Sequence, residues 1–184
     1  RLQQMMIETL PEMARVTADE GIDCHFDQSG HLATAVVPAQ LERLKSHLQE
    51  LHELGFSEDD CHYLEPAELA NHISIEGALG GYFMSHCAAI HPARLVRGLA
   101  QAVERHGVTI FEKSPVTSFG PGGVNTQYGS ICTEHSLICT EGYGGSLPQM
   151  KRKLIPIHSM MVATRPLSAD EKQQLGLQKR TTFN

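Results

Sequence analysis

The chain has 184 residues, 41% of them apolar and 20% charged, enough for a substantial core in one large domain or two small ones. Its 21 acidic residues outnumber 15 Lys and Arg, giving a formal charge of -6, and the one dense basic run, Lys151-Arg152-Lys153, is too short for a nucleic-acid footprint. No apolar stretch approaches the ~20 residues that cross a bilayer as a helix.

Residues 1–20 place Leu2, Met6, Leu10, Met13 and Val16 at helical spacing, with Pro11 predicting a kink or a fresh start near Leu10 and Gly21 ending the element. Ile22 to Phe26 and Leu32 to Val37 read as two strands joined by a turn at Asp27-Gln28-Ser29-Gly30. Pro38 then opens a helix whose Leu41, Leu44, Leu48 and Leu51 form one stripe, closed by Gly55. Leu64 to Leu69 reads as a short helical step. Gly77 to Met84 reads as a strand with a bulge or turn at Gly80-Gly81.

His91-Pro92 starts a helix with Leu95, Leu99 and Val103 on one face, Gly107 closes it, and Val108 to Phe111 follows as a short strand. Helix, glycine and strand in that order are how an α/β crossover lays down a strand. Lys113 to Phe119 is extended, Gly120-Pro121-Gly122-Gly123 is a turn, and Val124 to Tyr128 with Ser130 to Thr133 reads as a hairpin around Gly129. Ser136 to Cys139 reads as a buried strand, Ser146 as the cap of a helix through Arg152, and Ile155 to Thr164 as the longest strand. The chain opens inside what reads as a running helix and stops at Thr181-Thr182-Phe183-Asn184 in polar sequence, so we expect an internal piece of something larger.

Five cysteines (Cys24, Cys61, Cys87, Cys132, Cys139) with no CxxC pair fit neither a disulfide framework nor a zinc ribbon, and imply reduced, mostly buried thiols in a cytoplasmic protein. Eleven histidines show no ligand spacing: HExxH is absent and His47 and His52 fall on different helix faces, so no metal is expected. The segment Leu137 to Gly145 ends a strand in glycine, where ligands of α/β sheets lie, and is equally readable as a plain connector. From the residues alone, the chain is a mixed α/β piece without a nominated nucleophile, carboxylate pair or metal site.

Three blocks carry a resemblance. They are His91-Pro92-Ala93-Arg94-Leu95 through Gly107-Val108-Thr109-Ile110-Phe111-Glu112 to Val116, then Leu137 to Tyr143, then Leu154 to Leu167. In order and spacing they resemble the middle of a D-amino-acid-oxidase-type FAD-dependent oxidoreductase, closest to the amine-oxidising branch. Gly21-Ile22-Asp23-Cys24 and Ser29-Gly30-His31-Leu32-Ala33 are similar, more loosely, to that family's first substrate-domain hairpin.

The resemblance implies an α/β chain: part of a Rossmann-like FAD-binding domain with a small β-meander, interleaved with a mixed-sheet substrate domain. It divides the chain into a helix of the FAD domain at 1–20, substrate domain at 21–90, FAD domain at 91–150 and substrate domain again at 151–184. It implies FAD as cofactor, with Val116 offering backbone to the adenine and Thr140 and Gly142 sitting where a strand end meets the cofactor. Catalytic residues are not matched, and His158, on the long strand, is read as facing either a pocket or solvent. The implied reaction is oxidation of a C–N bond of a small amine or amino acid by hydride transfer to flavin, in a protein without nucleic-acid partners and with self-association plausible. The same fold acting on a hydroxy acid or glycerol phosphate, and a non-catalytic interaction module, stand as the alternatives. The fingerprint GxGxxG does not occur in the 184 residues, so the chain by itself is expected to hold FAD weakly.

Overall fold

The computed structural model describes residues 2–155, 157 and 159–184. In chain order it contains α1 (Leu2–Asp19), β1 (His31–Ala35), α2 (Pro38–Glu53), β2 (Cys61–Leu64), α3 (Pro66–Leu69), β3 (Gly80–Met84) and α4 (Pro92–Arg105). After these come β4 (Val116–Gly120), β5 (Gly123–Thr126), β6 (Gly129–Cys132), α5 (Ala169–Leu175) and β7 (Thr182–Phe183). They gather into two compact units, one of residues 1–108 with 165–184 and one of residues 109–164.

The first unit is built on a mixed sheet ordered β2-β3-β1-β7, antiparallel except for the parallel pair β1 and β7. Alternation along the strands gives each face its own core. On one face, Leu44, Leu48 and Leu51 of α2 bury Ala33, Ala35, Cys61 and Tyr82. On the other, Leu32 and Leu64 pack with Leu69 of α3 and Ile73, and Phe83 and Leu177 close around them. The predicted leucine stripe is therefore core packing. Pro38 at the first turn of α2 and Gly55 at φ +97 just past it supply the punctuation read from sequence.

α1 runs through Pro11 as one helix of 18 residues, without the predicted fresh start. Pro11 is exposed, so water can reach the carbonyl its missing N–H leaves unpaired. Gly21, at φ +66, ends the helix, and Ile22 N–H returns to the Thr17 carbonyl at 2.7 Å.

Ile22 to Phe26 does not form a strand. His25 adopts φ +55, which breaks an extended run, and Ile22 and Cys24 instead bury against Ala102 of α4. Strand β1 accordingly pairs with β3 and β7 and not with this segment. Gly80 and Gly81 form no bulge: they lie in register opposite Ala35 and Thr34. A Cβ at Gly81 would stand 2.6 Å from the Ala33 carbonyl oxygen, so glycine here permits close backbone approach inside a regular ladder.

The second unit holds the predicted meander, β4-β5-β6, with its turn at Gly120 to Gly123. Residues 108–111, 136–139 and the described part of 155–164 are not strands, contrary to expectation. Their side chains stand in solvent, with Phe111 67% exposed, Leu137 90% and Met160 95%. An extended segment becomes a strand only when a neighbouring strand pairs with its backbone; the Val108 N–H instead returns to the Val103 carbonyl of α4 at 3.0 Å. In place of a helix capped by Ser146, two 3₁₀ turns cover Glu141–Ser146 and Pro148–Met150. Gly142, Gly144, Gly145 and Pro148 disfavour an α-helix at this point.

Candidate functional site

The three residues expected to face a cofactor all lie in the 109–164 unit. Val116 opens β4 opposite Thr126 and is 39% exposed, just before a register shift that ends at Ser118. Beside it lies a largely apolar hollow of about 450 Å3 whose walls include Phe111, Val116, Val124, Tyr128 and Ile131. Among the described residues, no Lys, Arg, Asp or Glu lines it. Sequence reading passed over Phe111 and Tyr128 as lining residues. The available signal was their rarity, two aromatic rings beside predicted strands in a chain only 5% aromatic.

Thr140 precedes the first 3₁₀ turn and its carbonyl accepts the Tyr143 N–H at 3.0 Å. Glu141 follows in a left-handed conformation, φ +45, and its own carboxylate takes the Gly142 N–H. A Cβ built at Gly142 meets nothing within 4 Å, so its Cα faces open space while its N–H is spent on Glu141. Gln149 ties these turns to the meander by donating to the Phe119 carbonyl at 3.1 Å.

The donor set suits part of FAD. Open backbone at Gly142 and an uncharged apolar hollow at Val116 fit the neutral adenine end of the molecule. The diphosphate needs a glycine-rich turn at a helix N-terminus, and the chain contains no GxGxxG. His158 lies outside the described residues.

Titratable groups with strong partners sit instead in the first unit. Asp60 is held near pKa 2, first by the Ser57 hydroxyl and backbone N–H and then by His86, whose Nε2 lies 2.6 Å from its Oδ1. Glu20 is lowered by His106 and Arg105, which reach it from the end of α4. Burial pushes the Cys61 thiol up. The thiols are all free, as expected, but only Cys24 and Cys61 are buried; Cys132 and Cys139 are exposed.

A search of solved structures finds glycine oxidase from Geobacillus kaustophilus, which superposes with TM-score 0.69 at 17% identity over 79% of this chain and 40% of that one. The likeness is one of fold: a mixed α/β chain with a four-stranded mixed sheet and a small three-stranded meander. The sequence then gives the family. The profile of the DAO family, FAD-dependent oxidoreductases, matches residues 1–183, and the chain belongs to that family. The probable oxidoreductase OrdL of Haemophilus influenzae is 27% identical over 177 residues, 91% of this chain and 41% of that protein. The gamma-glutamylputrescine oxidoreductase of Escherichia coli is 23% identical over 159 residues, 84% of this chain and 37% of that one. The chain thus spans about two-fifths of the length of the curated relatives it matches.

Proposed function

We propose that the chain forms the substrate-side sheet and part of the FAD-binding region of an oxidoreductase that oxidises a C–N bond of a small amine or amino acid. The observation that carries this reading is the family match across residues 1–183, with relatives named for gamma-glutamylputrescine and for glycine. FAD, when bound, supplies the two-electron acceptor for hydride leaving the carbon next to nitrogen. The residues of this chain supply binding and orientation. Val116 presents backbone toward the adenine, Thr140 and Gly142 border the cofactor, and the hollow at Val116 keeps that contact dry. On this reading residues 21–90 and 151–184 belong to the substrate side and 1–20 and 91–150 to the cofactor side, in a cytoplasmic protein that associates with copies of itself.

The test is a visible spectrum. The intact protein, purified from cells, is expected to carry flavin absorbance that bleaches anaerobically on addition of an amine or amino acid. The 184-residue chain alone is expected to bind FAD more weakly than micromolar, because the diphosphate loop is not among its residues. A colourless intact protein that does not take up FAD overturns the proposal.

A further inference from the structure

A cluster of imidazole and guanidinium groups joins three parts of the first unit: the loop between α1 and β1, the first turn of α4 and the segment that enters β7. His25, in the loop, stands in the left-handed region at φ +55, a conformation that residues other than glycine hold only where their surroundings fix it. Arg180, just before β7, donates through Nη2 to His25 Nδ1 at 2.9 Å and through Nη1 to the His25 carbonyl at 3.4 Å. From α4, the His91 ring meets the His25 ring edge-on with centroids 6.0 Å apart, and His91 Nδ1 accepts the Arg94 N–H at 3.4 Å. Asp23 supplies the negative charge, taking the His25 N–H at 3.3 Å and the Arg94 guanidinium at 2.7 Å.

Arginine can only donate. His25 Nδ1 is therefore an acceptor, and its ring neutral, wherever the Arg180 contact exists. The His91 ring is under the same condition, because its Nδ1 receives a backbone N–H. A proton on His25 turns the acceptor into a donor and sets a second positive charge against the guanidinium where a bond stood. Asp23 does not relieve that conflict, since its side chain is 73% exposed and already faces Arg94. The next contacts along the chain are indifferent to protonation. The Thr181 hydroxyl donates to the Ser29 carbonyl at 3.1 Å, and the Thr182 hydroxyl, 2.9 Å from His31 Nδ1, can either donate or accept.

We propose that His25 and Arg180 form a pH-sensitive latch, closed while the imidazole is neutral and opened by its protonation, that fastens the entry of β7 to the loop before β1. Strand β7 pairs with β1 over two residues, His31 with Thr182 and Leu32 with Phe183, so a tie two residues upstream is a sizeable part of what holds it. The sense is opposite to that of a histidine facing a carboxylate, whose contact strengthens on protonation. The proposal does not depend on flavin.

Amide hydrogen exchange of the 15N-labelled protein tests it, with rates corrected for the intrinsic pH dependence of exchange. The Thr182 N–H, bonded to the Gly30 carbonyl at 3.2 Å, reports on the latch, and amides of the β2–β3 ladder serve as the control. Between about pH 7.5 and about pH 5.5, where histidines take up their proton, Thr182 protection relative to the control should fall. The expected fall is about threefold or more, the scale of one solvent-screened hydrogen bond to a charged group. His25→Asn suits the left-handed backbone, offers an amide oxygen near the place of Nδ1 and takes no proton, so its protection should be the same at both pH values. Arg180→Ala, at an exposed position, should show the lowered protection at both. If His25→Asn disturbs the spectrum as a whole, Arg180→Ala alone decides. Thr182 protection in the parent that stays level or rises as pH falls, or a fall of equal size in Arg180→Ala, would overturn the proposal.

Discussion

The two units put similar residues to different ends. In the first, each face of one sheet is covered by a helix or a loop, and leucines sit at a few per cent exposure: Leu32 at 1%, Leu69 at 1%, Leu48 at 7%. In the second, Gly144 and Leu147 are the buried residues among those described, while Ile155, Ile157, Met161 and Val162 stand 88% exposed or more. Apolar sequence states a need for a second layer. Only where this chain also supplies that layer does the need become a core. The second unit's exposed apolar segments are the surface expected of chain that packs against further strands, which agrees with a family in which this chain is two-fifths of the length.

The sharpest way to break the comparison is a pair of glycines. At Gly81 a methyl group would press on the Ala33 carbonyl oxygen and on Leu69, with backbone on one side and core on the other. Gly81→Ala should therefore destabilise the first unit by about 3 kcal/mol, the scale of overpacking a closed site. At Gly129, the first residue of β6, the added Cβ meets nothing within 4 Å, and Gly129→Ala should stay within about 0.5 kcal/mol. Urea unfolding followed by circular dichroism reads both. Equal effects would overturn the contrast between a closed site at Gly81 and an open one at Gly129.

The same contrast explains what could be read in advance. Helix α2 was legible to within a residue or two because Pro38, the stripe from Leu41 to Leu51 and Gly55 are local signals that agree with the burial the tertiary structure provides. The meander was legible because its glycine turns act over four residues. Strand pairing was not. The turn at Asp27 to Gly30 suggested a hairpin, but β1 finds its partners in β3 and in β7, some 150 residues away, and no local pattern encodes that. Residues 108–111 and 136–139 carry the composition of strands and find no strand partner among the described residues. At the candidate site, a Cβ at Gly142 meets open space, and the hollow at Val116 depends on Phe111 and Tyr128 coming together, which spacing did not reveal.

Proteolysis sharpens the comparison more gently. Lys151, Arg152 and Lys153 are exposed in a turn, and the described residues from 154 to 164 are exposed as well. Arg43 and Lys45 are exposed too, but on a helix anchored by buried leucines. Trypsin requires an unfolded local segment, so the 151–153 bonds should be cut at least tenfold faster than those in α2. Mass spectrometry of early fragments reads the order. First cleavage in α2 would show that the sheet unit is the looser one.

The smallest effect separates the units by pH. Asp60 stands at the entrance of β2, where the Ser57 hydroxyl and N–H hold one carboxylate oxygen and His86, just past β3, holds the other. These bonds favour the ionised form and bring the group to about 2, below the ordinary ~4 of an unfolded aspartate. A carboxylate lowered on folding adds stability that is complete above the unfolded value and disappears as pH falls through the folded one. The first unit should therefore lose urea resistance between about pH 4 and pH 2, and Asp60→Asn should flatten that decline while lowering the midpoint modestly at pH 5. Glu171, also near 2 beside Arg165 and the Ser168 cap, leaves a residual slope in the variant. The pair Asp60–His86 is partly exposed, at 31% and 22% of the side chains, so solvent screening keeps the amplitude small. An Asp60→Asn profile that overlays the parent from pH 5 to pH 2 would remove this contact from the forces that join β2 to β3.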